Sequence, residues 1–414
     1  MKTMQRLFPI LLIFCTAAHA QVAPAATGPG RLPISGNLQY SINYSQSSIL
    51  DDNREDTTTG VISASVKYSN SNMRLPFSLI YGGGYNWTEA GLDSWSGPFQ
   101  NLSLSQVIVW HKWNFAASDD ISYRHQAPTT GFSGVAGTGD LTGATTGTAT
   151  SQSILTVSTH VIENTASGTL GHPLNFATSL NGSVSSSILR YPDGNGLDTS
   201  SLTTKAEMTK RLNVRNSLTG SFMFSQYSYP DSYFTLVTYS GYFGFMRMWS
   251  RKITTNISAG PQWASSSDLT LAPSSTALSI NASVNYRFRF TSANLTYIRE
   301  TSGGSGYTRG AQTDTAHALL SREFGKHLFF SIDSSYMRTA GLLRNGETNS
   351  IFAGVQGTRQ FGRHLSMFAS YTAVSQSSSL LISPAIYNPT ILDSLQHTIS
   401  FGMGYSPRKT RLKD

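Results

Sequence analysis

The sequence predicts an all-β protein, a transmembrane antiparallel up-and-down β-barrel of about 18 strands with 16 as the alternative. Three observations carry this reading. Apolar and polar residues alternate with period two almost everywhere after residue 36, the period of a strand and not of a helix. The alternating stretches run about 10–13 residues, against a mode of roughly 5–6 for globular strands. Their polar half is Ser, Thr and Asn and not Lys and Glu, which suits a wet lumen better than an open solvent face.

Composition narrows the field further. The 414 residues are 39% hydrophobic and 13% charged, whereas a soluble globular chain carries about 45–50% and 25%. Small polar residues and 36 Gly fill the gap, and 21 Phe, 19 Tyr and 6 Trp make the chain too aromatic for disorder. There is no apolar run of roughly 18 residues, so a helical span is excluded. The single Cys15 leaves no disulfide framework or thiolate metal site.

The elements follow in chain order. Lys2 and Arg6, the apolar stretch Leu7 to Phe14, and Ala18-His19-Ala20 before Gln21 have the layout of a secretory signal peptide over residues 1–20. Residues 21–35, rich in Ala, Pro and Gly, read as a flexible periplasmic lead-in. Residues 36–405 read as the barrel, and 406–414 as a basic periplasmic tail. The formal charge of +8 resides largely in the signal and the tail; without them the body is about +3. An exported chain with that distribution is not a nucleic-acid binder.

Within the barrel, Leu38, Tyr40, Ile42 and Tyr44 share one face of the first strand, and Ile62, Ala64, Val66 and Tyr68 one face of the second. Leu278 to Phe288 and Leu365 to Ala373 repeat the pattern. Short basic turns recur at His111-Lys112, Gly171-His172-Pro173, Lys210-Arg211, Arg251-Lys252, near Arg289, and at Gly325-Lys326-His327 and Gly362-Arg363-His364. Longer loops lie between them: Asp51–Thr58, Gln126–Thr150, Pro192–Ser200, Thr301–Gln312 and Ser377–Leu392. Short turns on one side and long loops on the other are the topology of an outer-membrane barrel. Nine long-loop hairpins give 18 strands. Strand six, between Ser151 and Gly171, is the hardest to place.

The signal peptide, the strand pattern and the last strand (Leu395, His397, Ile399, Phe401, Met403, Tyr405) resemble Gram-negative outer-membrane β-barrel proteins of the porin type. The terminal strand looks like the signal read by the barrel-insertion machinery, although Ser406 to Asp414 follow it. The chain is also loosely similar to outer-membrane barrels encoded with exopolysaccharide machinery. The resemblance implies the cell outer membrane, contact with its lipid and lipopolysaccharide, and passive diffusion of small polar or anionic solutes. It leaves open a homo-oligomer, a structural or secretion-associated barrel without conduction, and an outer-membrane hydrolase.

If Leu38 and its kind face lipid, the lumen receives Asn37, Gln39, Asn43, Lys67, Arg215, Asn281, Asn285, Arg287, Arg289, Asp333 and Gln356. Amides and hydroxyls there replace part of a solute's hydration without trapping it, and a few arginines favour anions or polar neutral solutes. Arg190, Arg299 and Arg338 end strands on the outward parity beside aromatics, within reach of lipopolysaccharide phosphates; interfacial snorkelling explains the same placement. Asp193-Gly194 and Asn195-Gly196 read as hairpin turns in preference to a calcium loop, and Asp51 to Asp56 as a solvated acidic loop. No Gly-x-Ser-x-Gly elbow, His-Glu-x-x-His or phosphate loop is present. The sequence therefore points to no catalytic residue, metal or cofactor.

Overall fold

The computed structural model describes residues 34–49, 54–70, 75–89, 96–126, 159–194, 197–230, 234–268, 273–304, 309–325, 327–342, 346–362, 364–379 and 394–406. These form 18 strands: β1 (Ile34–Ile49), β2 (Arg54–Asn70), β3 (Phe77–Glu89), β4 (Ser96–Trp110), β5 (Trp113–Gln126), β6 (Thr159–Pro173), β7 (Thr178–Arg190), β8 (Thr199–Arg211), β9 (Asn216–Tyr229), β10 (Phe234–Met248), β11 (Ile253–Ser266), β12 (Ser275–Phe288), β13 (Thr291–Ser302), β14 (Ala311–Phe324), β15 (Leu328–Gly341), β16 (Glu347–Phe361), β17 (Leu365–Ser378) and β18 (Ser394–Tyr405). Each strand pairs antiparallel with the next. β18 then returns to β1, from Leu38 opposite Tyr405 to Ile49 opposite Ser394. The sheet is closed, and no edge is left with unpaired backbone groups.

The strands are 12 to 17 residues long, somewhat longer than their apolar alternation implies. Polar ends explain the excess, since a hairpin keeps its backbone bonds after it leaves the apolar layer. Thus Arg54, Glu55 and Asp56 pair with Ser48, Ser47 and Gln46 in the ladder and are not part of a loop. β1 likewise begins at Ile34, two residues inside the expected lead-in, and strand six is Thr159–Pro173. The signal, most of the lead-in, Asp51 to Asn53, Gly131 to Thr150 and the tail from residue 407 lie outside the described residues.

Parity sorts the side chains. Leu38, Ile62, Leu104, Ile121, Val184, Phe222, Phe243, Ile257, Leu295, Ile332, Ile351 and Phe401 all point outward and are exposed, as part of an apolar belt. Such a belt is stable in lipid and not in water. Aromatics ring the short-turn end: Trp110, Trp113, Phe176, Trp249, Phe288, Phe290, Phe324, Phe361 and Tyr405 are exposed there. The belt is interrupted on β5 and β6, where outward Asp119 accepts a 2.8 Å hydrogen bond from the Asn164 amide. Two of the short turns are only two residues long, and their first residues, His111 and Arg289, take positive φ of 53° and 44°.

Outward and inward positions respond differently to charge. Val284→Arg, on the lipid face of β12, is expected to lower folding free energy in vesicles by roughly 2–4 kcal/mol. Ser283→Arg, on the lumenal face, is expected to cost far less; urea titration of both variants in lipid measures the difference.

Candidate lumenal site

The inward positions build the chemistry of the barrel. On the wall from β5 to β9, hydroxyls and opposite charges pair across strands. Arg124 donates to Glu163 at 2.8 Å, Ser118 and Ser167 hydroxyls meet at 2.7 Å, and Thr203 donates to Ser225 at 3.0 Å. Lys205 and Glu207, both inward on β8, pair at 2.5 Å. Farther round, Asn294 donates to Asn285 at 2.7 Å between β13 and β12. His317 Nε2 on β14 lies 2.8 Å from Asp333 Oδ1 on β15. Beside this pair, Ser331, Ser335, Ser350 and Gln356 form a buried polar surface along β15 and β16.

A second feature narrows the bore. The end of β13 and the start of its connection to β14 fold onto the lumenal face of β9, β10 and β11. Gln262 holds the backbone of Thr301 with both ends of its amide: Nε2 donates to the carbonyl at 3.0 Å, and Oε1 accepts from the N–H at 2.7 Å. The Tyr229 hydroxyl donates to the Gly303 carbonyl and accepts from the Gly310 N–H at 3.2 Å. Gly303 and Gly310 are joined to each other by a 2.9 Å backbone bond. Tyr229, Phe234, Leu236 and Ala264 form a buried cluster beneath, flanked by Tyr227 and Leu342.

Two glycines permit this approach. A Cβ at Gly303 would stand 2.5 Å from the Tyr227 ring, and one at Gly310 would stand 2.9 Å from Leu236. Gly310 also has φ of +77°, which favours glycine.

Of the residues expected in the lumen, Lys67, Asn281, Asn285, Arg287, Asp333 and Gln356 occupy inward positions of β2, β12, β15 and β16. Lys67, Asn281, Asn285 and Arg287 are exposed, whereas Asp333 and Gln356 are buried. Asn37, Gln39 and Asn43 alternate along β1 with Leu38 and Tyr40; their side chains lie outside the described residues. Two positions need correction. Arg215 belongs to the turn between β8 and β9, where Asn213 Oδ1 accepts its N–H at 2.8 Å. Arg289 belongs to the turn after β12, with its guanidinium 5.6 Å from the outward Phe288 ring. Strand alternation had been extended into both turns, although the reversal of the chain ends it.

The three rim arginines are on outward positions at the long-loop end, and each has a carboxylate partner. Arg190 lies 3.6 Å from Asp198, Arg299 lies 3.6 Å from Asp314, and Arg338 donates to Glu347 at 2.9 and 2.6 Å. The Asp193-Gly194 turn has Gly194 at φ of +74°, with its N–H bonded to the Tyr191 carbonyl. Asp193 itself accepts from the His160 N–H at 3.0 Å. Among the described residues no group of His, Cys, Asp and Glu is arranged to hold a metal.

Sequence reasoning missed Asp120, Arg124, Glu163, Lys205, Glu207 and Glu300, which are inward, and the backbone of Thr301, Gly303 and Gly310 held to the wall. The signal for the latter was the Gly303, Gly304, Gly306 and Gly310 series, in a stretch that otherwise reads as an outer loop.

No protein-family model matches the chain, and no curated protein matches it. Solved structures with a similar fold include Acinetobacter baumannii OccAB4, 9% identical over 92% of this chain and 99% of that one, with a TM-score of 0.45. Pseudomonas aeruginosa OccK7 (OpdD) is 11% identical over 90% and 98%, with a TM-score of 0.45. Pseudomonas aeruginosa OprD is 10% identical over 94% and 100%, with a TM-score of 0.43.

The Gln262 clamp makes a local prediction. Gln262→Leu leaves the Thr301 N–H and carbonyl without partners, a loss of about 1–3 kcal/mol. Amide hydrogen exchange in a peptide covering 297–312 is expected to speed up, while exchange in β1, β2 and β18 is unchanged.

Proposed function

We propose that this chain is a porin-like channel of the outer membrane, through which small polar solutes diffuse passively. One observation carries the reading: a closed ring of 18 strands with an apolar outside and an inside of hydroxyls, amides and charges of both signs. A barrel of that strand number encloses space for water, and the backbone held by Gln262 and Tyr229 lies on the lumenal side of its wall. Short turns face the periplasm and long loops face outward. The inward Tyr242 hydroxyl, 2.8 Å from that of the buried Ser279, is a neutral partner for a solute's own hydroxyls.

Small polar or anionic solutes are the expected cargo, and the lining meets them with charges of both signs. Lys67, Arg124, Lys205 and Arg287 face inward, but so do Asp120, Glu163, Glu207, Glu300 and Asp333. Pairs such as Arg124 with Glu163 cancel much of the field.

Planar-bilayer recording tests the reading. Discrete conductance steps are expected, with a cation-to-anion permeability ratio within about threefold of unity at physiological salt, where exposed charges are screened. Arg287→Gln is expected to shift that ratio toward cations. Liposome swelling should admit uncharged monosaccharides. A folded chain that neither conducts nor swells liposomes overturns the proposal and leaves a structural or secretion-associated barrel.

A further inference from the structure

The outer surface carries arginines at both ends, and the two ends treat them differently. At the long-loop end, Arg190, Arg299 and Arg338 are each balanced by a carboxylate of the protein. At the short-turn end, the sequence repeats an Arg-x-aromatic step at three of the four turns from β10 to β17, Arg247-Met248-Trp249, Arg322-Glu323-Phe324 and Arg359-Gln360-Phe361, the turn after β12 lacking it. Residues two apart share a face, so Arg322 with Phe324 and Arg359 with Phe361 both point outward. Their guanidinium carbons lie 4.9 and 5.0 Å from the ring centroids, and that of Arg247 lies 4.1 Å from the Trp249 ring. Between them Lys252 Nζ sits 3.6 Å from the Phe288 ring. Among the described residues none of these four cations is in an ion pair with a carboxylate.

We propose that this collar, running from β10 to β17, binds the phosphodiester headgroups of anionic phospholipids in the leaflet at the short-turn end. The rings set the depth, because exposed Trp and Phe settle at the boundary between acyl chains and headgroups. Each cation is held against its ring at that depth, with its remaining donors free to face the headgroup layer. A guanidinium fork matches two oxygens of one phosphate. At the long-loop end a carboxylate lies beside each guanidinium, 3.6 Å from Arg190 and Arg299, and on Arg338 Glu347 already takes the Nε and Nη2 donors. The lipopolysaccharide contact expected of Arg190, Arg299 and Arg338 is therefore weaker than the phospholipid contact at the opposite rim.

The test uses the chain purified from the membrane in which it is expressed, placed in vesicles of phosphatidylcholine alone or with one part in about five of phosphatidylglycerol. Lipids retained by the protein are counted by native mass spectrometry, and unfolding midpoints are measured in both vesicles. The wild type is expected to enrich phosphatidylglycerol and to unfold later in its presence. Arg247→Gln, Arg322→Gln and Arg359→Gln together should abolish the enrichment, on the order of fivefold per cation removed. The corresponding triple Lys variant keeps the charge and should keep most of the enrichment. If the Gln variant does not fold, Lys252→Gln alone should still reduce it. Equal retention of both lipids by the wild type, or undiminished enrichment in the Gln variants, overturns the proposal. So does inorganic phosphate in phosphatidylcholine vesicles giving the same stabilisation, which would make the collar a site for a soluble anion. None of these readouts depends on conduction, so they stand apart from the test of the channel.

Discussion

The pairing of β1 with β18 is the contact on which the rest depends. A backbone amide in hydrocarbon has no water to bond, so a sheet can cross a membrane only if its first and last strands find each other. Here the seam runs from Leu38 opposite Tyr405 to Ile49 opposite Ser394. It fixes the register of the ring, and with it which residues face lipid. A shift of one residue at the seam would turn Leu395, Ile399, Phe401 and Met403 into the lumen and expose Ser400 to lipid.

Closure divides every strand between two solvents, and the interior gains its chemistry from that division. The outer face has to be apolar along the belt, so chemical variety is confined to the inner face and the two rims. Inside, cross-strand neighbours satisfy one another: Arg124 with Glu163, Asn294 with Asn285, Ser118 with Ser167. A lining made of such pairs is polar yet nearly neutral. Thr301, Gly303 and Gly310 add asymmetry, because Gln262 and Tyr229 attach their backbone and not their side chains to the wall. Backbone attached in that way presents fixed carbonyls and amides whatever the neighbouring side chains are.

The strand number, the parity of the belt and the alternation of short and long connections were legible in the sequence, because each follows from local periodicity. Leu38, Ile62, Leu278 and Phe401 have the outward exposure their spacing implies. What lay beyond reach required partners distant in the chain. The Tyr229 contact with Gly303 and Gly310 spans more than seventy residues, and no period records it. Parity also failed where polar residues run together: Asp119 and Asp120 are adjacent acids, one outward against Asn164 and one inward. At Arg215 and Arg289 the alternation was extended past the point where the strand ends.

The rims show how the same residue acquires different roles from its surroundings. A guanidinium with a carboxylate beside it has spent its directional donors within the protein; one laid on an aromatic ring keeps them. The ring attracts the cation through its face without competing for the N–H groups. Arg338, forked onto Glu347, is therefore a structural brace between β15 and β16, whereas Arg247, Arg322 and Arg359 hold their charge at a defined depth with donors unspent. The Arg-x-aromatic step recurs on β10, β14 and β16; at β12 Arg287 faces inward, and Lys252 lies on the Phe288 ring in its place. A row of headgroups at the membrane surface presents its phosphates along that same line, and each of these four cations can meet one of them.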